Sequence, residues 1–155
     1  GYDIDRKFEV HDMRDNVSAA GSMDTSIADQ ARLWAGIMRG DGLSAASRAE
    51  MVRGTLAINS ARQFPTLLED ADARGATISL AAGVGVVTFK DANGPSWFKG
   101  GHNDTTGNML VCQEARRRCI VLLANSVRAE RIYPQLVKFI LGDTAMPWWW
   151  EYGLP

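Results

Sequence analysis

Residues 77–125 constrain the fold of this chain more than any other region, because they alternate short apolar runs with tight turns. The first run, 78–89, is rich in Val and small residues, and the turn signal 91–95 follows it. Further runs predict short strands at 96–101, 108–113 and 119–125. Turns of this length join neighbouring antiparallel strands, so the region predicts a β-meander.

Helical patterns flank the meander on both sides. Before it, apolar residues recur every three or four positions, which predicts an amphipathic helix. These residues are Ile27, Ala31, Trp34 and Met38. Thr25 or Ser26 can cap this helix, and residues 39–42 end it. A shorter helix is predicted at 44–53, with Ser44 as its cap.

A last helix is predicted to follow Ser126 and to end at Gly142. Its apolar side is predicted to consist of Ile132, Leu136, Phe139 and Ile140. The fold class is therefore α+β (α/β in the broad sense), an antiparallel meander packed by helices that include a C-terminal helix. The large aromatic residues are interpreted as core; they are Trp34, Trp97, Phe98 and 148–150.

One covering helix is not enough for such a sheet. A meander of three or four strands with a single helix leaves an edge and much of one face uncovered. Either other helices of this chain cover that face, or a segment outside the chain does. We expect the second.

The composition is that of a folded domain, with 46% hydrophobic and 23% charged residues among 155. Its 17 basic and 18 acidic side chains give a formal net charge of −1. This charge excludes a general electrostatic attraction of the chain to nucleic acid or to an anionic membrane. No apolar run approaches the ~20 residues that a membrane-spanning helix needs. We therefore expect no nucleic-acid partner and no membrane span.

The two cysteines do not form a disulfide scaffold. Cys112 and Cys119 flank a predicted hairpin turn at 113–118, so they could face each other across two strands and form a bridge. Two buried thiols are the alternative, and the sequence favours it. With His11 and His102 as the only histidines and no His/Cys cluster at ligand spacing, no metal site is expected.

Three stretches, in order along the chain, resemble one enzyme family. Lys99-Gly100-Gly101 stands where the family has a Lys-Thr/Ser-Gly box, and the register continues without a gap to the Leu-Ala-Asn at 123–125. Residues 20–29 are similar to its Ala-Gly-Gly-hydrophobic-x-Ser-Thr-x-x-Asp segment, and 83–86 to its Gly-Leu-Gly-Trp strand. The chain thus resembles the serine β-lactamases and penicillin-binding proteins, especially class C β-lactamases and their esterase and D-alanyl-D-alanine peptidase relatives.

The resemblance implies a bacterial, periplasmic or secreted serine hydrolase without a cofactor. Such an enzyme forms an acyl-enzyme from a small or peptide-like ester, amide or β-lactam substrate. It needs Ser-x-x-Lys at a helix start, for the nucleophile and its activating amine, and Tyr-x-Asn or Ser-x-Asn as a proton shuttle. In the family both motifs precede the point at which this chain begins. Residues 1–155 are therefore expected to form the C-terminal part of a single domain.

The chain is accordingly expected to be inactive alone. Its expected partner is a polypeptide with the missing motifs, either a preceding segment or a separate chain. The string Ser96-Trp97-Phe98-Lys99 also matches Ser-x-x-Lys. On a strand, however, Ser96 and Lys99 point to opposite faces, so Ser96 is not the expected nucleophile.

The resemblance also gives roles to residues of the Lys-Gly-Gly box. Lys99 is expected to place a positive charge beside the cleft, and the backbone amide of His102 to donate to the oxyanion of the acyl-transfer intermediate. Gly101 keeps the strand bare, so that an acyl substrate can lie along it. Gly100 replaces a hydroxyl that helps the family hold a substrate carboxylate, which favours a broader esterase or amidase.

Asn103 and Asp104 follow the box in a polar loop. They have two interpretations, as substrate contacts at the cleft rim or as ordinary turn residues, and the second is favoured. The imidazole of His102 is not expected to take part in catalysis. A rival function also stays open, a non-catalytic binding module that keeps the fold without the chemistry. Its support is the missing hydroxyl at Gly100.

Overall fold

The computed structural model describes residues 1–10, 23–64 and 71–155. These residues form the helices α1 (Ile27–Arg39), α2 (Ala45–Met51), α3 (Arg74–Thr77), α4 (Tyr133–Leu141) and α5 (Trp148–Tyr152). They form the strands β1 (Leu56–Ala57), β2 (Ala81–Ala82), β3 (Val87–Asp91), β4 (Gly94–His102), β5 (Gly107–Gln113) and β6 (Arg118–Ala124). A 3-10 helix, Val127–Ile132, directly precedes α4.

The six strands form one antiparallel sheet whose order follows the chain from β1 to β6. A two-residue loop, 92–93, joins β3 to β4. Four-residue loops at 103–106 and 114–117 join β4 to β5 and β5 to β6. The predicted α+β class and the meander are confirmed.

The strand predicted at 78–89 is wrong in its extent. Only Ala81–Ala82 and Val87–Asp91 are strands, and they pair with each other around a turn at 83–86. Gly85 in this turn has a φ of +78°, a conformation that favours glycine. The glycine-rich stretch, which predicts one long strand, therefore forms a hairpin instead.

The first two helices begin where the sequence predicts. Ser26 caps α1 by accepting a hydrogen bond from the Asp29 amide (3.1 Å), and Gly40 ends the helix in the left-handed conformation. Ser44 caps α2, which ends at Met51, two residues before the predicted end. Residues 20–22 of the segment 20–29, and His11, lie outside the described residues.

Helices of this chain cover both faces of the sheet at its centre, so the expected covering segment outside the chain is wrong for this region. On one face, α1 and α2 pack against a cluster around Trp97, Leu110 and Cys112. On the other face, α4 and α5 pack against a cluster around Phe98 and Val111. We call these the α1 face and the α4 face. Trp97 and Phe98 are adjacent in β4 and almost fully buried on opposite faces.

The helix predicted after Ser126 is a 3-10 helix followed by α4, and α4 buries a different side from the one predicted. Its buried residues are Tyr133, Val137 and Leu141. The predicted apolar side is exposed: Ile132, Leu136, Phe139 and Ile140 are 36–85% accessible. Both sets follow helical spacing; the buried set packs into the cluster on the α4 face, where the Tyr133 hydroxyl also donates to the Gly107 carbonyl (2.7 Å).

Cys112 and Cys119 are joined by a disulfide. They are directly opposite in the register of β5 and β6, with Cα atoms 4.1 Å apart. The favoured alternative of two buried thiols is therefore wrong, and the other alternative is confirmed. Of the aromatic residues assigned to the core, Trp97, Phe98, Trp148 and Trp150 are buried, whereas Trp34 and Trp149 are half-buried. None of the described helices is long and apolar enough to cross a bilayer.

Candidate functional site

The six residues assigned to a site lie together at the end of β4 and in the loop after it. Residues 99–102 pair with β5 on one side. On the other side the pairing with β3 stops at Val87, opposite Phe98. No described strand continues it, so among the residues that the structure describes one backbone edge of residues 99–102 is open. We call it the 99–102 edge.

A hydrogen bond at the end of the hairpin shows which backbone groups face this edge. The Asn103 amide donates across the hairpin to the Thr106 carbonyl (3.1 Å), so Asn103 faces β5. Alternate residues of an antiparallel strand face the same neighbour, so Gly101 also faces β5. The N–H and C=O groups of Gly100 and His102 are therefore directed to the open edge. The His102 amide, which is predicted to donate to an oxyanion, is therefore directed to this edge, and His102 is exposed.

On the α1 face this end of the strand is bare. Side chains alternate along β4, and because Trp97 points to the α1 face, Lys99 and Gly101 do as well. No atom lies within 4 Å of the position that a Cβ atom on Gly101 would occupy. Lys99 is exposed, and its Nζ donates to the Gly100 carbonyl (2.5 Å), which brings the amine to the 99–102 edge.

On the α4 face the same strand end rests on a carboxyl group. A Cβ atom on Gly100 would lie 1.6 Å from Oε1 of Glu151, so this carboxyl occupies the space next to the strand. Glu151 is 8% exposed, and burial raises its pKa to about 7. The positive charges of Lys99 and His102 oppose this shift, and the negative charge of Glu130 adds to it.

A second buried carboxyl holds the His102 side chain. Its Nδ1 lies 2.9 Å from Oε1 of Glu130, and its ring packs edge-on against Tyr152, with centroids 5.6 Å apart. Burial raises the pKa of Glu130, while the charge and the hydrogen bond of His102 lower it. The imidazole thus belongs to a polar cluster within the fold. That it takes no part in catalysis stays a prediction.

Two tyrosines complete this cluster. Tyr133 donates to the Gly107 carbonyl (2.7 Å) and Tyr152 to the Asn108 carbonyl (2.8 Å), opposite the 99–102 edge in the β4–β5 register. Burial, with Glu130 nearby, raises the pKa of Tyr133 to about 12, and burial also raises the pKa of Tyr152. Both phenols are therefore neutral donors at physiological pH.

The sequence did not single out Glu130, Glu151, Tyr133 or Tyr152. One signal was available for Glu151, which is an acidic residue directly after three tryptophans in a segment assigned to the core. A carboxyl in such surroundings needs partners, because charged groups are almost never fully buried alone. Glu130 lies in a polar stretch and carries no comparable signal.

The polar loop is held by one of its own side chains. Oδ1 of Asn103 accepts hydrogen bonds from the amides of Thr105 and Thr106 (2.8 Å each) and from the hydroxyl of Thr106 (3.0 Å). Asp104 is exposed at the tip of the loop. These contacts are those of a turn residue and support the favoured interpretation of Asn103.

Ser96 has the position expected of it in a strand. It lies on the α4 face, opposite to Lys99, and its hydroxyl is buried without a partner among the described residues. A groove of about 700 Å³ lies nearby, between residues 52–55 and the strands β2 to β4. The six predicted site residues do not line it. The six predicted site residues therefore lie at an open strand edge, away from this groove.

In the part of the chain that the structure describes, no group of three His, Cys, Asp or Glu side chains is arranged to hold a metal ion. Comparison with models of protein families, with curated proteins and with solved structures finds no match to this chain.

Proposed function

We propose that this chain is the C-terminal part of a β-lactamase-like serine hydrolase and that the 99–102 edge forms one wall of its acyl-transfer cleft. The observation that carries the proposal is the open backbone edge at the Lys-Gly-Gly box, with the His102 amide directed outward. Such an amide is the kind of donor that stabilises a developing oxyanion, and losing one donor costs roughly 3–4 kcal/mol of barrier in serine hydrolases.

The edge can take an extended acyl substrate as an additional strand. The backbone groups of Gly100 and His102 would bond to it, and the bare position at Gly101 would leave room for its atoms. Lys99 brings a positive charge to the same edge, where it favours the ionised form of a neighbouring proton shuttle and attracts a substrate carboxylate. The substrate class is an ester, an amide or a β-lactam.

The nucleophile, its activating lysine and the proton shuttle would come from a companion polypeptide, either a preceding segment or a separate chain. Two features support such a companion. The outer edge of β6 pairs with no other described strand, and the neighbouring helix α4 exposes Phe139, Ile140 and Leu136. An open edge beside apolar side chains is a surface that proteins usually cover.

A second function has its own supporting observation. The space at position 100, where the resembled family has a hydroxyl, is filled here by the buried carboxyl of Glu151. A chain that replaced a substrate-binding group by internal packing could be a non-catalytic binding module. The encoded polypeptide discriminates between the two. Ser-x-x-Lys and Tyr-x-Asn ahead of Gly1 would support the hydrolase, and their absence would support the module.

The kinetic test uses the chain together with its companion. Lys99→Ala should lower the acylation rate with a p-nitrophenyl ester or a chromogenic cephalosporin at least tenfold, which corresponds to about 1.4 kcal/mol. Lys90→Ala is the matched control, because Lys90 is another exposed strand lysine and lies outside the 99–102 edge. Wild-type acylation in Lys99→Ala would contradict the role of the edge. So would turnover by the 155-residue chain alone that Ser96→Ala abolishes.

A further inference from the structure

We propose that Glu130 and Glu151 are positioning residues for the 99–102 edge, and that the placement of the His102 amide depends on whether this carboxyl pair holds a proton. The inference deepens the proposed function and rests on it for its catalytic meaning. Its structural part, the coupling between the carboxyls and the strand, can be tested without any activity.

The two carboxyls meet the hairpin at two glycines. Glu151 lies against Gly100, where a Cβ atom would clash at 1.6 Å. Glu130 lies against Gly107, where a Cβ atom would be 2.9 Å from its Cγ. Gly107 is the register partner of His102. Each glutamate is therefore in van der Waals contact with the backbone at the edge or directly across from it, so a shift of either carboxyl moves that backbone.

His102 connects the carboxyl pair to the 99–102 edge. Its backbone faces the open edge, and its imidazole lies 2.9 Å from the Glu130 carboxyl on the α4 face. The orientation of the imidazole is thus coupled to Glu130. The contact with this carboxyl therefore holds His102, the residue whose amide is the candidate oxyanion donor. A side-chain contact of this kind fixes a backbone amide in the way that supporting hydrogen bonds fix other catalytic groups.

The charges around the pair explain why a proton matters. His102 faces it from β4, Tyr152 from α5 and Tyr133 from α4, and the charge of Lys99 acts on Glu151 from the other face of the strand end. The pKa of Glu151 near 7 means that both of its protonation states are populated around neutral pH. When Glu151 ionises, its negative charge is repelled by Glu130 and attracted by Lys99 and His102. Ionisation therefore changes the forces between this carboxyl and the strand end that it contacts.

The first experiment follows this coupling by NMR in the 155-residue chain. The carboxyl carbons of Glu130 and Glu151 and the amides of Gly100 and His102 are titrated from pH 5 to pH 9. We expect the two amides to shift with the midpoint of the Glu151 carboxyl, and Glu151→Gln to remove that midpoint. Glu50→Gln, on the exposed surface of α2, is the matched control and should leave it unchanged.

His102→Gln separates the imidazole from the carboxyls, because any midpoint that remains in this variant belongs to the carboxyl pair. The wild-type carboxyl signals themselves report the titration even if a variant does not fold. Two results would overturn the proposal. One is a Gly100 and His102 titration that is the same in Glu151→Gln as in the wild type, and the other is amides that do not follow the Glu151 carboxyl.

The second experiment measures acylation in the assembled hydrolase. The wild-type rate should change between pH 6 and pH 8 by about threefold or more, and Glu151→Gln should flatten this change through kcat rather than KM. A wild-type assembly that hydrolyses no ester or β-lactam, with NMR coupling intact, would refute the proposed function and leave the coupling standing. An active assembly whose pH profile is the same in Glu151→Gln would refute the positioning role.

Discussion

The two faces of β4 differ at the end of the strand although they are alike at its centre. At the centre, Trp97 and Phe98 are both buried under helices of the chain. Four residues after Trp97 the α1 face is open at Gly101, whereas two residues after Phe98 the α4 face holds Gly100 against a buried carboxyl. The two faces of one strand thus differ most at its end, where one side is accessible and the other is held against a carboxyl.

The largest expected effect tests whether both faces of β4 are equally well packed at the centre of the strand. Trp97→Ala and Phe98→Ala should each lower the free energy of unfolding by about 3–5 kcal/mol, because each removes a large, almost fully buried side chain. Urea unfolding followed by far-UV circular dichroism measures both. A cost below about 1 kcal/mol for either would mean that its face is not packed as described.

The next effect sharpens the contrast at the strand end through its pH dependence. The pKa of Glu151 is about 7 in the folded chain, above the ordinary value of 4.5. The folded state therefore binds this proton more tightly than the unfolded state, and the resulting stability is present below pH 4.5 and lost as the pH rises through 7. Gln does not titrate, so Glu151→Gln shows no such loss of stability as the pH rises. Relative to the wild type, this variant should gain about 3 kcal/mol of unfolding free energy between pH 4.5 and pH 8.

Chemical denaturation at a series of pH values measures that gain. Glu50→Gln, at the exposed surface, controls for the loss of one negative charge. A constant difference between Glu151→Gln and the wild type over this pH range would show that the Glu151 carboxyl is not held as the structure has it.

A matched pair of glycine variants compares the two faces directly. Gly100→Ala must displace the Glu151 carboxyl and should cost about 1–3 kcal/mol, whereas Gly101→Ala projects into open space and should stay within about 0.5 kcal/mol of the wild type. Thermal unfolding of both variants checks this. Combining Gly100→Ala with Glu151→Ala should recover part of the cost, because the two residues are in contact. Equal effects of the two glycine variants would contradict the difference between the faces.

The smallest expected effect concerns the exposed side of α4. Phe139→Ala should change the free energy of unfolding by no more than about 0.5 kcal/mol, since Phe139 is 85% exposed. Leu141→Ala, on the buried side of the same helix, should cost about 2–5 kcal/mol. A large loss of unfolding free energy in Phe139→Ala would show that the side of the helix predicted from the sequence is the buried one.

What the sequence predicts correctly here depends on local contacts. Ser26, Gly40 and Ser44 mark helix ends through hydrogen bonds and backbone conformations within a few residues, so these ends are readable without the fold. The hairpins at 92–93 and 114–117 are readable for the same reason. The buried side of α4 is not readable in this way, because two apolar stripes fit its spacing and only the packing against the distant strands of the sheet selects one.

The candidate site divides in the same way. The Lys-Gly-Gly box and its loop are continuous in sequence, and a resemblance is enough to single them out. The carboxyls beneath them come from the 3-10 helix and from α5, 28 residues and more beyond His102 along the chain. Only the path of the chain brings Glu130 to His102 and Glu151 to Gly100. The environment that fixes the site is therefore a property of the tertiary structure.

The disulfide between β5 and β6 has a consequence for the neighbouring hairpin, β4–β5, which carries the candidate site. The bridge joins residues directly opposite each other and only seven positions apart, so it persists as a covalent rung when the rest of the chain unfolds. A strand that slips by one position would exchange its inward and outward side chains. The bridge keeps Cys112 opposite Cys119 in the unfolded chain, so β5 and β6 refold from the native register, and β4 then pairs with a β5 that is already aligned.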